Sequence, residues 1–210
     1  MSSYPGRIIC CGLDHSGQPL ALYALTARSE ASKARRLTIK KGALWVEPTD
    51  SLLGGDPELL YYRAAFIDGK TIFIANGRHS EHLKEGISLE EALESESYEP
   101  DEPIYTPRIA AAFNVETMSY HFALLARSSD GSTIRSYYSY DDLQVGYAHQ
   151  IQTYSGSSEA ISPFVGLPIE VNIPRTLIAQ TLFDHLDPEL RIALAVIRPS
   201  GYEILPTIGG

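Results

Sequence analysis

The stretch LLYYRAAFIDGKTIFIA, residues 59–75, decides the fold class. Two apolar runs, Leu59 to Ile67 and Thr71 to Ala75, flank Asp68-Gly69-Lys70. An Asp-Gly pair tolerates the positive φ that a tight hairpin turn demands, so the runs are read as antiparallel partners. The same pattern extends in both directions. Toward the amino terminus, Leu37 to Val46 alternates loosely and reads as one strand, while Arg7 to Leu13 and Leu20 to Ala27 flank a turn-rich Asp-His-Ser-Gly-Gln-Pro. Toward the carboxyl terminus, Ile109 to Phe113, Tyr120 to Ala126 and Thr133 to Tyr140 read as strands. Ser128-Ser129-Asp130-Gly131 turns between the last two. Tyr147 to Tyr154 and Arg191 to Ile197 complete the set.

Two segments have helical spacing instead. His79 to Glu96 places Leu83, Ile87, Leu89, Ala92 and Leu93 on one face, with a break at Gly86 and a capping box at Ser88-Leu89-Glu90-Glu91. Pro174 to Leu186 is the second, with Pro174 near its start. Hairpins with two interposed helices predict an α+β protein, antiparallel sheets with helices on the outer faces, and not the regular alternation of a parallel sheet. No repeat, low-complexity tract or long linker divides the chain, so residues 1–210 are expected to form one domain.

The totals narrow the function. The net charge is -9 and 44% of residues are hydrophobic, which argues against disorder and against nucleic acid as a partner. No apolar run approaches membrane-spanning length, and residues 1–7 lack a signal-peptide core. A soluble cytoplasmic protein is expected. Cys10 and Cys11 are adjacent and cannot staple a loop, so they are read as small buried hydrophobes. The charge is uneven: Arg28, Lys33, Arg35, Arg36, Lys40 and Lys41 crowd one segment, where a small anion could bind.

Tyr98 to Asn114 carries the densest chemistry. Pro100, Pro103 and Pro107 predict a rigid, extended approach to a small-residue strand. Glu99, Asp101 and Glu102 crowd it, and crowded carboxylates raise one another's pKa, which suits general acid–base work or pairing with arginine. Arg28 and Arg108 can hold phosphate bidentately. Asn76-Gly77-Arg78-His79 follows a strand and opens a helix, where a glycine admits a ligand and free N–H groups face an anion. His79 and His82 stand three apart, yet no third ligand has recognisable spacing, so no metal is expected. The tyrosines from Tyr137 to Tyr154 read mostly as sheet packing. One at a strand end can stack on a heterocycle or donate to an oxyanion.

These pieces resemble the archaeal-type inosine monophosphate cyclohydrolases. The matching residues are Gly6-Arg7 with Gly12, Arg28-Ser29, Asn76-Gly77-Arg78-His79, Asp101-Glu102, Thr106-Pro107-Arg108-Ile109-Ala110-Ala111, Thr153-Tyr154 with Gly156, and Pro163 to Pro168. The resemblance implies a four-layer αββα sandwich of antiparallel sheets like that of the N-terminal-nucleophile hydrolases. It also implies a homo-oligomer, no cofactor, and a purine-precursor nucleotide as substrate. The implied reaction is attack of a carboxamide nitrogen on a formyl carbon of the same molecule, with loss of water. Glu102, Arg108 and Tyr154 would be catalytic: Glu102 on the amide, the other two facing the reacting carbonyl. Arg28 and Lys33 would hold phosphate. Asn76, Gly77, His79, Thr106 and Tyr62 would bind the remainder.

The chain departs from the family at Arg28-Ser29-Glu30-Ala31-Ser32-Lys33, where Arg-Ser-Phe-Pro-Asn-Arg is usual, and at Arg78, where a small or polar residue is usual. A paralogue acting on a related heterocyclic nucleotide, by cyclisation or amide hydrolysis, is therefore an alternative. A noncatalytic nucleotide-binding protein is another.

Overall fold

A computed structural model describes residues 6–49, 57–175 and 179–206. In chain order the strands are β1 Arg7–Leu13, β2 Pro19–Thr26, β3 Arg35–Lys40, β4 Ala43–Pro48, β5 Tyr62–Asp68, β6 Thr71–Ala75, β7 Arg108–Asn114, β8 Ser119–Arg127, β9 Thr133–Tyr140, β10 Tyr147–Gln152, β11 Tyr154–Gly156, β12 Ile161–Pro163, β13 Ile169–Asn172, β14 Arg191–Arg198 and β15 Gly201–Leu205. The helices are short: α1 Glu30–Lys33, α2 Pro57–Leu60, α3 Leu89–Ala92 and α4 Ala179–His185, with a 3-10 turn at Arg78–His82.

The strands form an antiparallel six-stranded sheet, β13-β10-β1-β2-β14-β15, and an antiparallel seven-stranded sheet running in sequence order from β3 to β9. The chain is thus α+β and sheet-rich. Alternation along each strand sends one set of side chains between the sheets and the other outward. Ile9, Tyr23 and Ala195 of the first sheet share a core with Tyr62, Ile74, Ala111 and Phe122 of the second. On the outer face of the first sheet, Ile8, Leu20 and Leu194 pack with Phe183 of α4. On that of the second, Phe73 and Ala110 pack with Leu83, Leu89 and Leu93. Strands buried on both faces read as continuous apolar runs, as Arg7–Leu13 does.

Several expectations needed correction. Leu37 to Val46 is two strands, because Lys41 (φ 50) and Gly42 (φ 74) both enter the left-handed region and close a two-residue hairpin. Tyr147 to Tyr154 breaks at Thr153, where β11 leaves to pair with β12. The carboxyl-terminal helix is described from Ala179; Pro174 and Arg175 are not helical, and residues 176–178, including Leu177 and Ile178, lie outside the described residues. A further strand, β15, pairs with β14. The segment 79–96 does break in two around Gly86, and the Ser88 hydroxyl accepts from the Glu91 N–H, as the capping box requires.

Candidate functional site

The ends of β1, β2, β3, β5, β7 and β10 nearest Arg7, Thr26, Arg35, Tyr62, Arg108 and Gln152 gather at one end of the two sheets. Loops leaving these ends carry most of the sequence-predicted site residues. The approach segment 99–107 is not extended. Its backbone folds back, with the Glu99 N–H donating to the Thr106 carbonyl (2.8 Å) and the Ile104 N–H to the Asp101 carbonyl (2.9 Å). Prolines restrict φ but do not forbid a turn, and here Asp101 organises one: its carboxylate accepts from the Thr106 N–H (2.6 Å) and hydroxyl.

At the base of the site Arg7 and Glu99 form a buried pair, 8% and 4% exposed. The Arg7 Nη2 donates to both carboxylate oxygens at 2.9 Å. Burial disfavours both charges. It pushes the Glu99 carboxyl up against the pull of Arg7; burial is also the largest influence on Arg7, but Glu99 together with Tyr62, Tyr154 and Tyr23 outweighs it and raises that guanidinium. One guanidinium nitrogen bridges both carboxylate oxygens, a charge-assisted contact stronger than a neutral hydrogen bond. Asn76, fully buried, ties it to the second sheet: its Nδ2 donates to Glu99 (3.3 Å) and to the Pro107 carbonyl (2.9 Å), and its Oδ1 accepts from the Ile109 N–H (2.7 Å).

His79 is buried, with Nδ1 3.3 Å from the Arg108 Nη1 and Nε2 3.1 Å from the Ile109 carbonyl. Arginine has only donors, so Nδ1 accepts and Nε2 carries the proton. Burial, and then Arg108, push its pKa down to about 3. Arg108 also donates to the Ser97 carbonyl (2.8 Å) and pairs with Glu96 (3.6 Å). Gly77 lies against these groups: a Cβ there would sit 3.0 Å from the Arg108 Nη1 and 3.3 Å from the His79 Nδ1.

Above this base lies a recess of about 140 Å³, lined by Arg7, Arg28, Arg35, Asp101 and Tyr154, with Ser29 and Ser32 at its rim. Tyr154 is buried, and its hydroxyl bonds Thr106 Oγ1. The Thr106 hydroxyl donates to Asp101, so Tyr154 donates to Thr106, and a chain of hydrogen bonds runs from the recess wall to a carboxylate. Burial pushes the Tyr154 phenol up, so it stays protonated. Gly6 makes room for this ring: at φ +70, a Cβ would sit 2.6 Å from Tyr154 Cδ2 and 2.3 Å from Thr153 Oγ1. The recess adjoins a wider chamber of about 520 Å³, sharing Arg28, Ile104 and Ile161 with it. Tyr105 and Arg127 line that chamber, the guanidinium carbon 4.3 Å from the ring centroid. Tyr105 holds a φ of 51, a left-handed conformation that costs a non-glycine residue about 1–2 kcal/mol.

The sequence-predicted residues are distributed as follows. Arg28, Tyr154 and Thr106 gather at the recess, Thr106 behind Tyr154. Asn76, Gly77, His79 and Arg108 form a layer beside Glu99 and do not line the recess. Tyr62 is buried between the sheets, its hydroxyl 2.7 Å from that of Tyr23. Lys33 pairs with Glu30 at 3.7 Å and lines neither cavity. Glu102 is exposed on the turn, hydrogen-bonded to Tyr105. Sequence reasoning placed Arg35 only within a basic segment where a small anion could bind and Arg7 only within a family motif, and singled out neither as a site cation. A signal existed for Arg35: it alternates with Leu37 on the inward face of β3, where a charge is out of place. Among the described residues no three His, Cys, Asp or Glu side chains gather to hold a metal, and no helix is long and apolar enough to cross a membrane.

Chemically this is a cleft lined by three guanidinium groups at the end of two packed antiparallel sheets, with a tyrosine–threonine–aspartate hydrogen-bond chain in its wall. The chain matches the model of the family described as IMP cyclohydrolase-like protein over residues 4–201, and it belongs to that family. An IMP cyclohydrolase of Methanopyrus kandleri is 32% identical over 123 residues, spanning 54% of this chain and 60% of that relative.

Proposed function

We propose that this protein is an IMP cyclohydrolase, closing 5-formamidoimidazole-4-carboxamide ribonucleotide to inosine monophosphate. The carboxamide nitrogen attacks the formyl carbon and a C–N bond forms. The carboxamide nitrogen gives up one proton and the formamido nitrogen a second, and the formyl oxygen, protonated twice, leaves as water as the ring C=N bond forms. Both reacting groups belong to one molecule, so catalysis needs positioning, electrostatics and a proton path. The observation that carries this reading is the recess itself, where three guanidinium groups meet the Tyr154–Thr106–Asp101 chain. The cations suit a nucleotide phosphate and a carbonyl oxygen gaining charge. The hydroxyl relay suits proton transfer at the attacking amide, with Asp101 as its terminus.

Within this reading Tyr154 is the catalytic group with direct access to the recess. Arg28 holds phosphate at the junction of the two cavities, and Thr106 positions Tyr154. Arg108, His79, Asn76 and Gly77 act from behind by fixing Glu99 and the turn, and Tyr62 supports the arginines from below. Glu102, exposed beside Tyr105, lines neither cavity, and Asp101 takes the carboxylate role at the amide in this reading. Lys33 stays paired with Glu30, outside both cavities, and is given no role in this reading. The layered arrangement of helical segment, sheet, sheet and helical segment supports a four-layer sandwich akin to the N-terminal-nucleophile hydrolases. A cytoplasmic homo-oligomer that needs no cofactor completes the proposal.

One observation favours the paralogue reading: Glu30, absent from the usual family pattern, draws Lys33 into an ion pair. Product analysis separates the readings. Chromatography of the formamido substrate after incubation would give inosine monophosphate if the ring closes. It would give the amino-carboxamide nucleotide and formate if the amide is hydrolysed. Unchanged substrate would leave a binding protein.

A further inference from the structure

Arg35 is 5% exposed, lines the recess, and has no carboxylate within ion-pair distance among the described residues. Its one hydrogen bond runs from Nε to the Ser32 carbonyl at 2.7 Å. The neighbouring cation, Arg7, already owns the buried carboxylate, Glu99. The adjacent cations on β3 and its approach are placed differently. Arg36 and Lys40 share Glu47, and Lys33 pairs with Glu30. Arg35 is therefore a buried charge lining a recess whose one carboxylate, Asp101, is engaged by the Thr106 N–H and hydroxyl and makes no ion pair with it. Burying a cation in this state is costly unless an anion completes it.

We infer that Arg35, together with Arg28 and the hydroxyls of Ser29 and Ser32, forms the seat for the dianionic phosphate ester of the substrate. This rests on the nucleotide reading above and deepens it: the second phosphate cation is Arg35, not Lys33. A permanent dianion offsets the cost of a permanently buried cation in the resting complex. A carbonyl oxygen that gains charge only at the transition state does not. Arginine's planar fork also suits two phosphate oxygens at once, which a lysine cannot match. The seat is built at a corner that the Arg28–Ser32 segment closes, where α1 begins with the Ser29 hydroxyl accepting from the Ser32 N–H (3.3 Å).

The test uses Arg35→Met, which keeps the bulk and removes the charge, with Arg35→Lys as a second variant. Melting temperature is measured with and without inorganic phosphate and inosine monophosphate, and KM and kcat are measured with the formamido nucleotide. The wild type should be stabilised by both ligands. Arg35→Met should melt no lower than wild type when ligand-free and lose most of the ligand-induced shift, its KM rising about 10- to 100-fold. Arg35→Lys should fold and retain part of the shift. An Arg35→Met protein that keeps the full phosphate shift and an unchanged KM overturns the seat while leaving cyclohydrolase activity standing. A ligand-free melt well below wild type would also overturn it, because Arg35 would then be a structural partner. An Arg35-dependent phosphate shift without ring closure supports the seat and removes the cyclohydrolase reading alone.

Discussion

Replacing Glu99 by glutamine keeps the shape of the side chain and removes the one carboxylate that balances Arg7. In the native protein both Arg7–Glu99 bonds are 2.9 Å and both partners are buried. Glutamine can accept one of those bonds but turns a donor toward the other. The Arg7 Nε already lacks a hydrogen-bond partner, and Arg35 lies in the same electrostatic neighbourhood, so no nearby group absorbs the change. Removing one member of a buried pair costs roughly 3–5 kcal/mol. For a domain of this size each kcal/mol lowers the melting temperature by about 2–4 °C, so a drop of roughly 6–20 °C is expected. Urea unfolding of the ligand-free protein, followed by Trp45 fluorescence, measures the loss directly. The double replacement Arg7→Met with Glu99→Leu should recover most of the stability, because an apolar pair leaves no charge stranded. It should not recover turnover, since Arg7 is a wall of the recess. A Glu99→Gln loss below about 1 kcal/mol would refute the reasoning that this pair anchors the site.

Other consequences are equally direct. His79 binds its proton only near pH 3 when folded, against about 6.5 unfolded, so below pH 6.5 the unfolded chain takes up the proton first and stability falls with pH. The expected loss is about 2 kcal/mol between neutral pH and pH 5; His79→Gln should flatten that limb, and parallel acid curves for the two proteins would contradict the buried neutral imidazole. Gly6→Ala should destabilise by about 2–4 kcal/mol, since its φ of +70 and the crowding by Thr153 and Tyr154 act together. A near-neutral Gly6→Ala melt would mean the Tyr154 ring has room to retreat. Tyr154→Phe should lower kcat about 100-fold with little change in KM, as loss of a group engaged mainly in the transition state does; an unchanged kcat would remove Tyr154 from the chemistry.

The hairpins were legible because their signals are local. Asp68-Gly69 and the Ser128–Gly131 turn each specify a conformation within four residues, and the strands follow from the apolar runs beside them. Lys40-Lys41-Gly42 hid a turn because lysine carries no turn preference; only its positive φ in the fold reveals it. Strands β11 to β13 are three or four residues long and too short to register a period. The site was half legible. Arg28, Thr106 and Tyr154 stood in recognisable motifs and do converge. The carboxylate bonded to Arg7 could not be read from spacing, because Glu99, Asp101 and Glu102 are near neighbours with opposite fates. Glu99 turns inward to Arg7, Asp101 caps the turn and Glu102 faces solvent. That sorting comes from the folded-back backbone, which three prolines made look extended. Arg35 depended on the long-range fact that no carboxylate among the described residues pairs with it.

The central claim is ring closure on the wall formed by Arg28 and Tyr154, and steady-state ultraviolet kinetics test it most directly. Purified wild-type protein should convert the formamido nucleotide to inosine monophosphate far faster than the uncatalysed closure. Folded Arg28→Ala should lose mainly apparent affinity and folded Tyr154→Phe mainly turnover. A folded wild-type protein that leaves the uncatalysed rate unchanged would contradict the account.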